Sequence, residues 1–230
     1  MKNIIALSLI FFFSLTLKAQ DCSSLDMIKE GTKWELTNYN KKDKVDGSTF
    51  YHVKEVSNKG DGGVSWIIDM EMKDDKGEVF SESTTEISCE AGVFKMSMEQ
   101  FMNNEQMQAY KDMDVEIDAT DIEYPTSTKV GATLPEASIN IKVATNGMTV
   151  MNMTTTIKDR RIEKEETIET PAGSFDCLIV TQNTTIANKL ISKEYPSKDW
   201  FMPGFGVVRS ESYKSNGKLI GYSVLTSYEQ

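Results

Sequence analysis

The sequence predicts a mainly β protein built on a single curved antiparallel sheet, with one helix on the concave face of that sheet. Two observations predict the sheet. Segments rich in Thr, Val and Ile recur along the chain, and clusters of Gly, Asn, Asp and Lys separate them, as in an antiparallel meander. Strands and helices do not alternate, which argues against a parallel α/β sheet. In one further segment the apolar residues recur every three to four positions, which predicts the helix.

The predicted strands follow one another along the chain with turn residues between them. Asn146-Gly147 joins two of these strands, and this dipeptide is the strongest short signal for a β-hairpin. The predicted strands are Thr32–Tyr39, Thr49–Val56, Val64–Met72, Glu78–Ser88, Ala137–Thr145, Met148–Lys158, Ile162–Glu169, Phe175–Thr184, Ala187–Tyr195, Trp200–Met202, Gly206–Tyr213 and Lys218–Tyr228.

The predicted helix extends from Ser97 to Met113. Met98 and Phe101 begin its apolar stripe, and polar Asn, Gln and Glu residues occupy the positions between the apolar ones. Ser97 is a suitable N-cap residue, and Gln100 follows it at the spacing of a capping box. We therefore expect one helix that packs its methionine-rich stripe against the sheet.

The N-terminus has the pattern of a secretory signal peptide. Lys2 precedes an apolar run over residues 4–17, which is shorter than a membrane-spanning helix requires. We expect cleavage after residue 19, which leaves residues 20–230 as a single domain. Lipid attachment at Cys22 is disfavoured because the two residues before it, Gln and Asp, are not small. The mature protein is expected in the periplasm, at the outer membrane or outside the cell.

The charge of the chain bears on its partners. The net charge of the whole chain is −10, and removal of residues 1–19 takes away Lys2 and Lys18 and no acid, which makes it −12. An acidic surface repels nucleic acid and anionic lipid headgroups, so neither is an expected partner. No second apolar run in the sequence could cross a membrane.

Three cysteines remain after the predicted cleavage. Cys177 lies in an apolar strand pattern, so we expect it to be a buried free thiol. An exported protein with an odd number of cysteines usually forms one pair and leaves one thiol over. The expected disulfide therefore joins Cys22 to Cys89.

An acidic stretch over residues 112–123 has partial calcium-loop spacing. The EF-hand loop needs a glycine at its sixth position, where this sequence has Ile117. Val115 and Ile117 alternate with the acids, as in a half-buried strand. A strand with a solvated acidic face is therefore preferred to a metal site. The weak calcium candidates are Asp112, Asp114, Glu116, Asp118 and Glu123.

Large apolar side chains are the candidates for a ligand-binding face. Methionine is frequent, and a groove lined by flexible methionines and aromatic rings could accept an apolar or lipid-like ligand. Packing in the core explains the same residues without a ligand. The weak candidates are Trp34, Trp66, Met151, Met153 and Trp200, together with Phe201.

The sequence has few of the residues that catalysis requires. His52 is the only histidine, so a histidine-rich zinc site is excluded and a catalytic triad would depend on this one residue. No G-x-S-x-G, Walker or dinucleotide-binding motif occurs, and no cofactor is expected. A hydrolase is therefore the least favoured of three functional classes.

The segment 169–178, ETPAGSFDCL, is predicted to be a hairpin connection. Pro171 fixes φ, and Gly173 permits positive φ. The segment fits a type II turn, or a three-residue loop with Gly173 left-handed. An active-site lip with Thr170 or Ser174 as nucleophile lacks a neighbouring base. In this prediction the turn places Phe175 and Cys177 of the next strand in the core.

Several motifs resemble a family of exported bacterial proteins called TapB-like, formerly a domain of unknown function. This family is similar in predicted architecture to the periplasmic lipoprotein carriers, in which a half-barrel wraps a helix and shelters an acyl chain. The resemblance implies a lipoprotein-carrier-like half-barrel and no catalytic residues. The motifs are EYP (123–125), VGATLP (130–135), NGM (146–148), ETPAGSFDC (169–177) and WFMPGFGVVRSESYKSNGKL (200–219).

The functional expectation is a non-enzymatic exported protein of the cell envelope. In the preferred form its concave face binds an apolar or lipid-like ligand. In the second form the protein is an envelope interaction or scaffold protein that binds a partner protein and no small ligand. An enclosed apolar groove of several hundred Å³ would favour the first form, and a filled interior would favour the second.

Overall fold

The computed structural model describes residue 22 and residues 27–101, 110–126 and 129–230. Thirteen strands form one sheet in which every neighbouring pair is antiparallel. The fold class predicted from the sequence is therefore confirmed. The strands are β1 (Lys33–Asn40), β2 (Val45–Lys59), β3 (Gly63–Lys73), β4 (Val79–Glu90), β5 (Val93–Ser97), β6 (Asp114–Ala119), β7 (Asp121–Pro125), β8 (Ala137–Thr145), β9 (Met148–Thr170), β10 (Gly173–Asn188), β11 (Ser192–Met202), β12 (Gly206–Tyr213) and β13 (Leu219–Glu229).

The sheet curls until its two edges are close together. The strand order is β6-β8-β9-β10-β11-β12-β13-β1-β2-β3-β4-β5-β7, so β6 and β7 are the edge strands. Thr120 is the single residue between them, and its N–H donates to Ser138 O on β8 at 2.8 Å. The carbonyl of Thr120 accepts from Met98 N at 3.2 Å, beside β5. Thr120 therefore bridges the two edges, and the sheet encloses a concave interior.

Antiparallel pairing gives the sheet two ends with different turns. We call the first the disulfide end, because Cys89 lies near it; its turns include residues 60–62, 91–92, 171–172 and 203–205. We call the opposite one the distal end. Its turns are residues 41–44, 74–78, 146–147, 189–191 and 214–218.

The disulfide end is closed by buried side chains. Cys22 and Cys89 form a disulfide, the pair that the sequence favoured, and Cys177 is a free, buried cysteine. The indole N–H of Trp66 donates to Ile28 O at 2.8 Å, which holds the chain after Cys22 over this end. Burial raises the pKa of the Cys177 thiol to about 12, which leaves this thiol protonated and unreactive at neutral pH.

The first residues of the predicted helix form a short 3-10 turn instead of an α-helix. Ser97 ends β5, and residues Met98–Phe101 form a 3-10 turn in which Glu99 N donates to Ser97 Oγ at 3.2 Å. Met98 is buried at 2% exposure. The middle of the predicted helix, residues 102–109, lies outside the described residues.

Two strand predictions were wrong. The predicted strands 148–158 and 162–169 are one continuous strand, β9, with a register irregularity near Asp159, whose φ is 54°. The predicted strand 187–195 is interrupted by a hairpin turn at residues 189–191, because β10 ends at Asn188 and β11 begins at Ser192. The side chain of Asn188 makes this turn, because its Oδ1 accepts the N–H groups of Leu190 and Ile191, both at 2.9 Å.

The connection between β9 and β10 is the hairpin predicted for segment 169–178. Thr170 pairs with Gly173 across a two-residue turn, and Gly173 has φ +136°. The Thr170 hydroxyl accepts Ala172 N at 3.1 Å and donates to Gly173 O at 3.2 Å. The strand after the turn buries Phe175 and Cys177, at 7% and 3% exposure.

Gly173→Val is expected to lower the free energy of unfolding by roughly 1–3 kcal/mol, because a β-branched residue is strained at positive φ. Urea unfolding of the variant and the wild type measures the difference. Ser174→Val is the control, because Ser174 is exposed and has no such φ. Equal stability of the Gly173 and Ser174 variants would contradict the turn assignment.

Candidate functional site

The concave interior of the sheet contains a cavity of about 630 Å³. One of its walls is apolar and aromatic and comes from β1–β5 and β7, with Phe201 of β11 packed against it. Trp34 stacks on Tyr51 with ring centroids 4.9 Å apart, and Tyr124 stacks on Phe201 at 4.2 Å. The apolar wall also contains Leu36, Met70, Met72, Ile87, Phe94, Met96 and Ile122.

The facing wall is polar and comes from β10–β13. Most of the residues that line the cavity on this half carry hydroxyl, amide or carboxyl groups, although Tyr195, Phe201, Val207 and Ile220 also line it from these strands. Ser197 pairs with Ser212, and Ser210 pairs with Ser223, so the hydroxyls lie in cross-strand pairs. The polar wall is formed by Gln182, Thr184, Ser197, Asp199, Ser210, Ser212 and Ser223.

The cavity extends from the aromatic residues of the disulfide end toward the distal end. Phe94 and Phe205 line it near the disulfide end, and both are buried. Met72, Tyr195 and Ile220 line it near the distal end, where Ile220 is 37% exposed. The mouth of the cavity therefore lies among the distal hairpins.

A buried polar chain lies at the polar wall. Arg160 is fully buried, and its Nε donates to Gln182 Oε1 at 3.0 Å. The amide of Gln182 donates to Asp199 Oδ2 at 2.6 Å, and the Ser210 hydroxyl donates to Asp199 Oδ1 at 2.5 Å. Arg160 thus connects to Asp199 through Gln182 rather than by a direct ion pair.

Arg160 is anchored on its other side by backbone and ring contacts. Its Nη1 donates to Pro135 O at 2.8 Å and to Glu123 O at 3.2 Å, and its Cζ lies 4.7 Å from the centroid of the Tyr124 ring. Among the described residues its Nη2 has no hydrogen-bond partner. These contacts hold Arg160 behind the polar wall and fix the position of Gln182.

The buried carboxyl of Asp199 is electrostatically unusual. Burial raises its pKa to about 6, and the hydrogen bond from Ser210 and the charge of Arg160 oppose this shift only in part. Burial likewise raises the pKa of Tyr124 to about 12. The cavity therefore presents one carboxyl that changes charge near pH 6 beside neutral hydroxyls.

The three tryptophans predicted for the ligand face lie in three different places. Trp34 lines the cavity. Trp66 is 1% exposed and fills the disulfide end beside Phe94. Trp200 lies on the outer side of β11, because Asp199 and Phe201 on either side of it line the cavity.

Trp200 and the two methionines are engaged outside the cavity. The indole N–H of Trp200 donates to Glu166 at 3.0 Å, and Lys198 Nζ lies 4.1 Å from the centroid of its ring. Met151 and Met153 lie on β9, are partly exposed and are not part of the cavity wall, and Met151 Sδ accepts the Tyr110 hydroxyl at 3.6 Å. Of the predicted ligand residues, the cavity brings together Trp34 and Phe201.

The acidic calcium candidates lie along extended chain. Asp114, Glu116 and Asp118 are on β6 and Glu123 is on β7, while Asp112 precedes β6. Lys142 Nζ lies 2.8 Å from Glu116. Within the described ranges, no three His, Cys, Asp or Glu side chains are close enough together to hold a metal ion. The backbone is extended, as the alternation of Val115 and Ile117 with the acids predicts, but Ile117 is exposed at 37% rather than buried.

The polar wall was not predicted from the sequence. Ser and Thr at alternate positions of β10–β13 are also typical of a solvated strand face. A signal was present in the segment 198–201, KDWF, where an acid lies between a lysine and two aromatic residues. This segment can be interpreted only when it is known which face of the sheet carries the side chain of Asp199.

Comparisons with known proteins agree with the fold. The family model described as DUF3108-like matches residues 29–225. A proposed lipoprotein from Parabacteroides distasonis has a similar structure, with a TM-score of 0.71 and 26% identity over 87% of this chain and 96% of that one. A proposed exported protein with a YmcC-like fold from Bacteroides fragilis has a TM-score of 0.70 and 23% identity over 88% of this chain and 97% of that one.

Two further findings are negative, one from a comparison and one from the structure. No curated protein matches the chain. Within the described part of the chain, no helix has the length and apolar character that crossing a membrane requires.

Proposed function

The chain belongs to the DUF3108-like family, and from that premise we propose that it is a non-enzymatic exported protein of the cell envelope that binds a lipid-like ligand in its cavity. The names of the similar structures, an exported protein and a lipoprotein, support export. The predicted signal peptide supports it independently. Removal of residues 1–19 is part of this proposal, and N-terminal sequencing of the exported protein is expected to begin at Gln20. The narrower resemblance to the TapB-like family stays a prediction.

The observation that carries the proposal is the cavity of about 630 Å³ with one aromatic and methionine-rich wall. Cavities of roughly 300–1,000 Å³ that are mainly apolar are typical of small-molecule sites. Met70, Met72 and Met96 are flexible and can adapt to a chain of variable shape. Stacked rings such as Trp34 on Tyr51 give the wall a fixed surface.

The polar wall determines which end group the ligand carries. Among the described residues no Lys, Arg or His lines the cavity, so a free carboxylate or phosphate would be desolvated there without a cation from these residues to pair with it. Ionised Asp199 would repel such an anion, whereas it can accept a hydrogen bond from a hydroxyl or amide. The ligand we propose therefore has an apolar chain and an uncharged, hydroxylated or amide-containing end.

Native mass spectrometry of the protein purified from the envelope of its own host tests the proposal. We expect a retained lipid, and delipidated protein is expected to bind a monoacylglycerol or a fatty alcohol more tightly than the fatty acid of equal length at pH 8. Displacement of the neutral fluorophore N-phenyl-1-naphthylamine measures this difference. A protein that retains no lipid and binds none of these probes would instead have the scaffold role.

Ser212→Phe is expected to abolish probe binding or reduce it at least tenfold, because Ser212 lines the cavity and the added ring would occupy it. Fluorescence titration with N-phenyl-1-naphthylamine measures the effect. Ser174→Phe is the matched control, because Ser174 is exposed on β10 outside the cavity wall. Equal loss of probe binding in both variants would show that the added ring acts through stability rather than through the cavity.

A further inference from the structure

The hairpin of β10 and β11 projects beyond the neighbouring strand β12. Strand β11 begins at Ser192, about five residues before Ser197, which is the first β11 residue that pairs with β12, where its partner is Ser212. At the rise of a β-strand, five residues extend about 16 Å. On its β12 side the tip of the hairpin therefore stands clear of its neighbour, whereas on the other side β9 pairs with β10 as far as Asn188 and continues past it to Met148.

Residues at the tip of a hairpin are usually polar, but this tip carries two large apolar side chains. Leu190 is 89% exposed and Ile191 is 54% exposed. The turn is formed by the side chain of Asn188, so the fold does not require the two apolar side chains at this position. Exposed leucines are common singly, but adjacent large apolar residues on a projecting tip are typical of an interaction surface.

The apolar tip is flanked by lysines without acids. Lys189 and Lys193 are on the hairpin, and Lys214 and Lys218 are on the adjacent β12–β13 turn; all four are exposed. Residues 186–193 and 214–221 contain no Asp or Glu. None of the four lysines lies within ion-pair distance of a carboxylate in the described part of the chain.

The charge of these two neighbouring turns is opposite in sign to that of the whole protein, whereas the β3–β4 turn at the same end carries Asp74, Asp75 and Glu78. The nearest following acid, Glu194, is paired with Lys158 at 2.9 Å. The acidic residues that make the mature chain strongly negative lie outside these two segments. The net charge alone predicts repulsion from an anionic surface, but the structure gathers positive charge where the apolar tip projects.

The same hairpins form the mouth of the cavity. Thr184 and Tyr195 are cross-strand partners a few residues below the tip, and both line the cavity. Ile220, directly after the β12–β13 turn, lines it from the other side. A surface that covered the tip and the turn would therefore also cover the mouth.

We propose that the distal rim, formed by Lys189, Leu190, Ile191, Lys193, Lys214 and Lys218, docks on an anionic lipid bilayer. Leu190 and Ile191 enter the boundary between headgroups and acyl chains, and the four lysines contact anionic headgroups. This geometry places the cavity mouth at the bilayer surface, where a lipid can pass between the two. Docking does not depend on whether the cavity holds a lipid.

Vesicle flotation with the mature protein tests the rim. Vesicles of equal parts phosphatidylglycerol and phosphatidylcholine are expected to bind the protein, and vesicles of phosphatidylcholine alone are expected to bind it much more weakly. Binding to the anionic vesicles is expected to fall as salt is raised, because the lysine contribution is screened. The variant K189Q/K193Q is expected to lose roughly 30-fold in affinity, and the variant L190S/I191S is expected to lose binding.

Matched controls lie away from the rim. The variant K29Q/K129Q removes two exposed lysines elsewhere, and V130S removes an apolar side chain that is 52% exposed in the connection before β8. Both controls are expected to bind vesicles like the wild type. Equal binding to neutral and anionic vesicles, or equal losses in the rim and control variants, would overturn the proposal. Probe binding in solution is measured separately, so a failure of docking is distinguishable from a failure of the cavity proposal.

Discussion

Loss of the disulfide between Cys22 and Cys89 is expected to lower the free energy of unfolding by about 4 kcal/mol. The bond joins residues separated by 67 positions, and cross-linking so long a loop removes much of the conformational freedom of the unfolded chain. Both cysteines are buried, at 2% and 0% exposure. Without the bond, residues 27–28 keep the hydrogen bonds from the Tyr228 hydroxyl to Met27 O at 2.7 Å and from Trp66 Nε1 to Ile28 O at 2.8 Å but lose their covalent anchor, so this end is expected to open first.

Urea unfolding with and without a thiol reductant measures this effect. The variant C22S/C89S is expected to match the reduced wild type and to be insensitive to reductant. The variant C177A separates the free thiol from the bond, because it keeps the disulfide and should respond to reductant like the wild type. A wild-type protein whose unfolding midpoint is unchanged by complete reduction would contradict the expected contribution of the disulfide.

Asp199→Asn is expected to stabilise the protein at pH 7 by up to about 3 kcal/mol. The pKa of Asp199 is raised to about 6 in the folded protein, from 3.8. Between these values the folded state keeps a proton that the unfolded state releases. The contribution of Asp199 to the free energy of unfolding is therefore fully present below about pH 4, and it is lost as the pH rises through 6. An asparagine keeps hydrogen bonds to Gln182 and Ser210 and carries no buried charge.

Unfolding of the wild type and Asp199→Asn at pH 4 and pH 7 tests this expectation. The two proteins should have similar stability at pH 4, and the variant should be the more stable at pH 7. Asp75→Asn is the control for a general charge effect, because Asp75 is exposed in the β3–β4 turn. A variant less stable than the wild type at pH 7 would show that buried Arg160 needs the ionised carboxylate of Asp199.

Much of the strand pattern was predictable from local chemistry. The hairpin at Asn146-Gly147 has positive φ at both residues, 49° and 76°, as its type I′ turn requires. The turn before Gly173 also formed where the sequence placed it. Local turn chemistry and a period of two are properties of a few adjacent residues, so they can be identified without the rest of the chain.

The turn at residues 189–191 shows where that approach fails. Lys-Leu-Ile contains neither Gly nor Pro, and its apolar residues extend the strand pattern on both sides. The side chain of Asn188 accepts two hydrogen bonds in this turn, and the backbone bond from Asn188 N to Ile191 O at 2.8 Å closes it. An isolated asparagine is a weak turn signal, so the sequence predicted a strand and missed the exposed apolar tip.

The sequence predicted the apolar character of the candidate site, but it did not predict which residues line it. Aromatic residues and methionines predicted an apolar concave face, and Trp34 and Phe201 do line the cavity. Trp66 and Trp200 have similar local sequence patterns but lie in the core and on the outer side of the sheet. A strand pattern shows which residues share a face, but it does not show how deep along the interior each residue lies.

The sequence by itself determined the antiparallel class, most strand positions and the turns formed by glycine. It also determined which residues alternate on each strand, because these features depend on neighbours within a few positions. Only the tertiary structure decided that the polar strands β10–β13 face the aromatic strands β1–β5 across a cavity. It alone buried Asp199 and placed the turn with Lys214 and Lys218 at the same end of the sheet as Leu190. The physical reason is that the curl of the sheet brings together strands more than a hundred residues apart, and no local pattern encodes that distance.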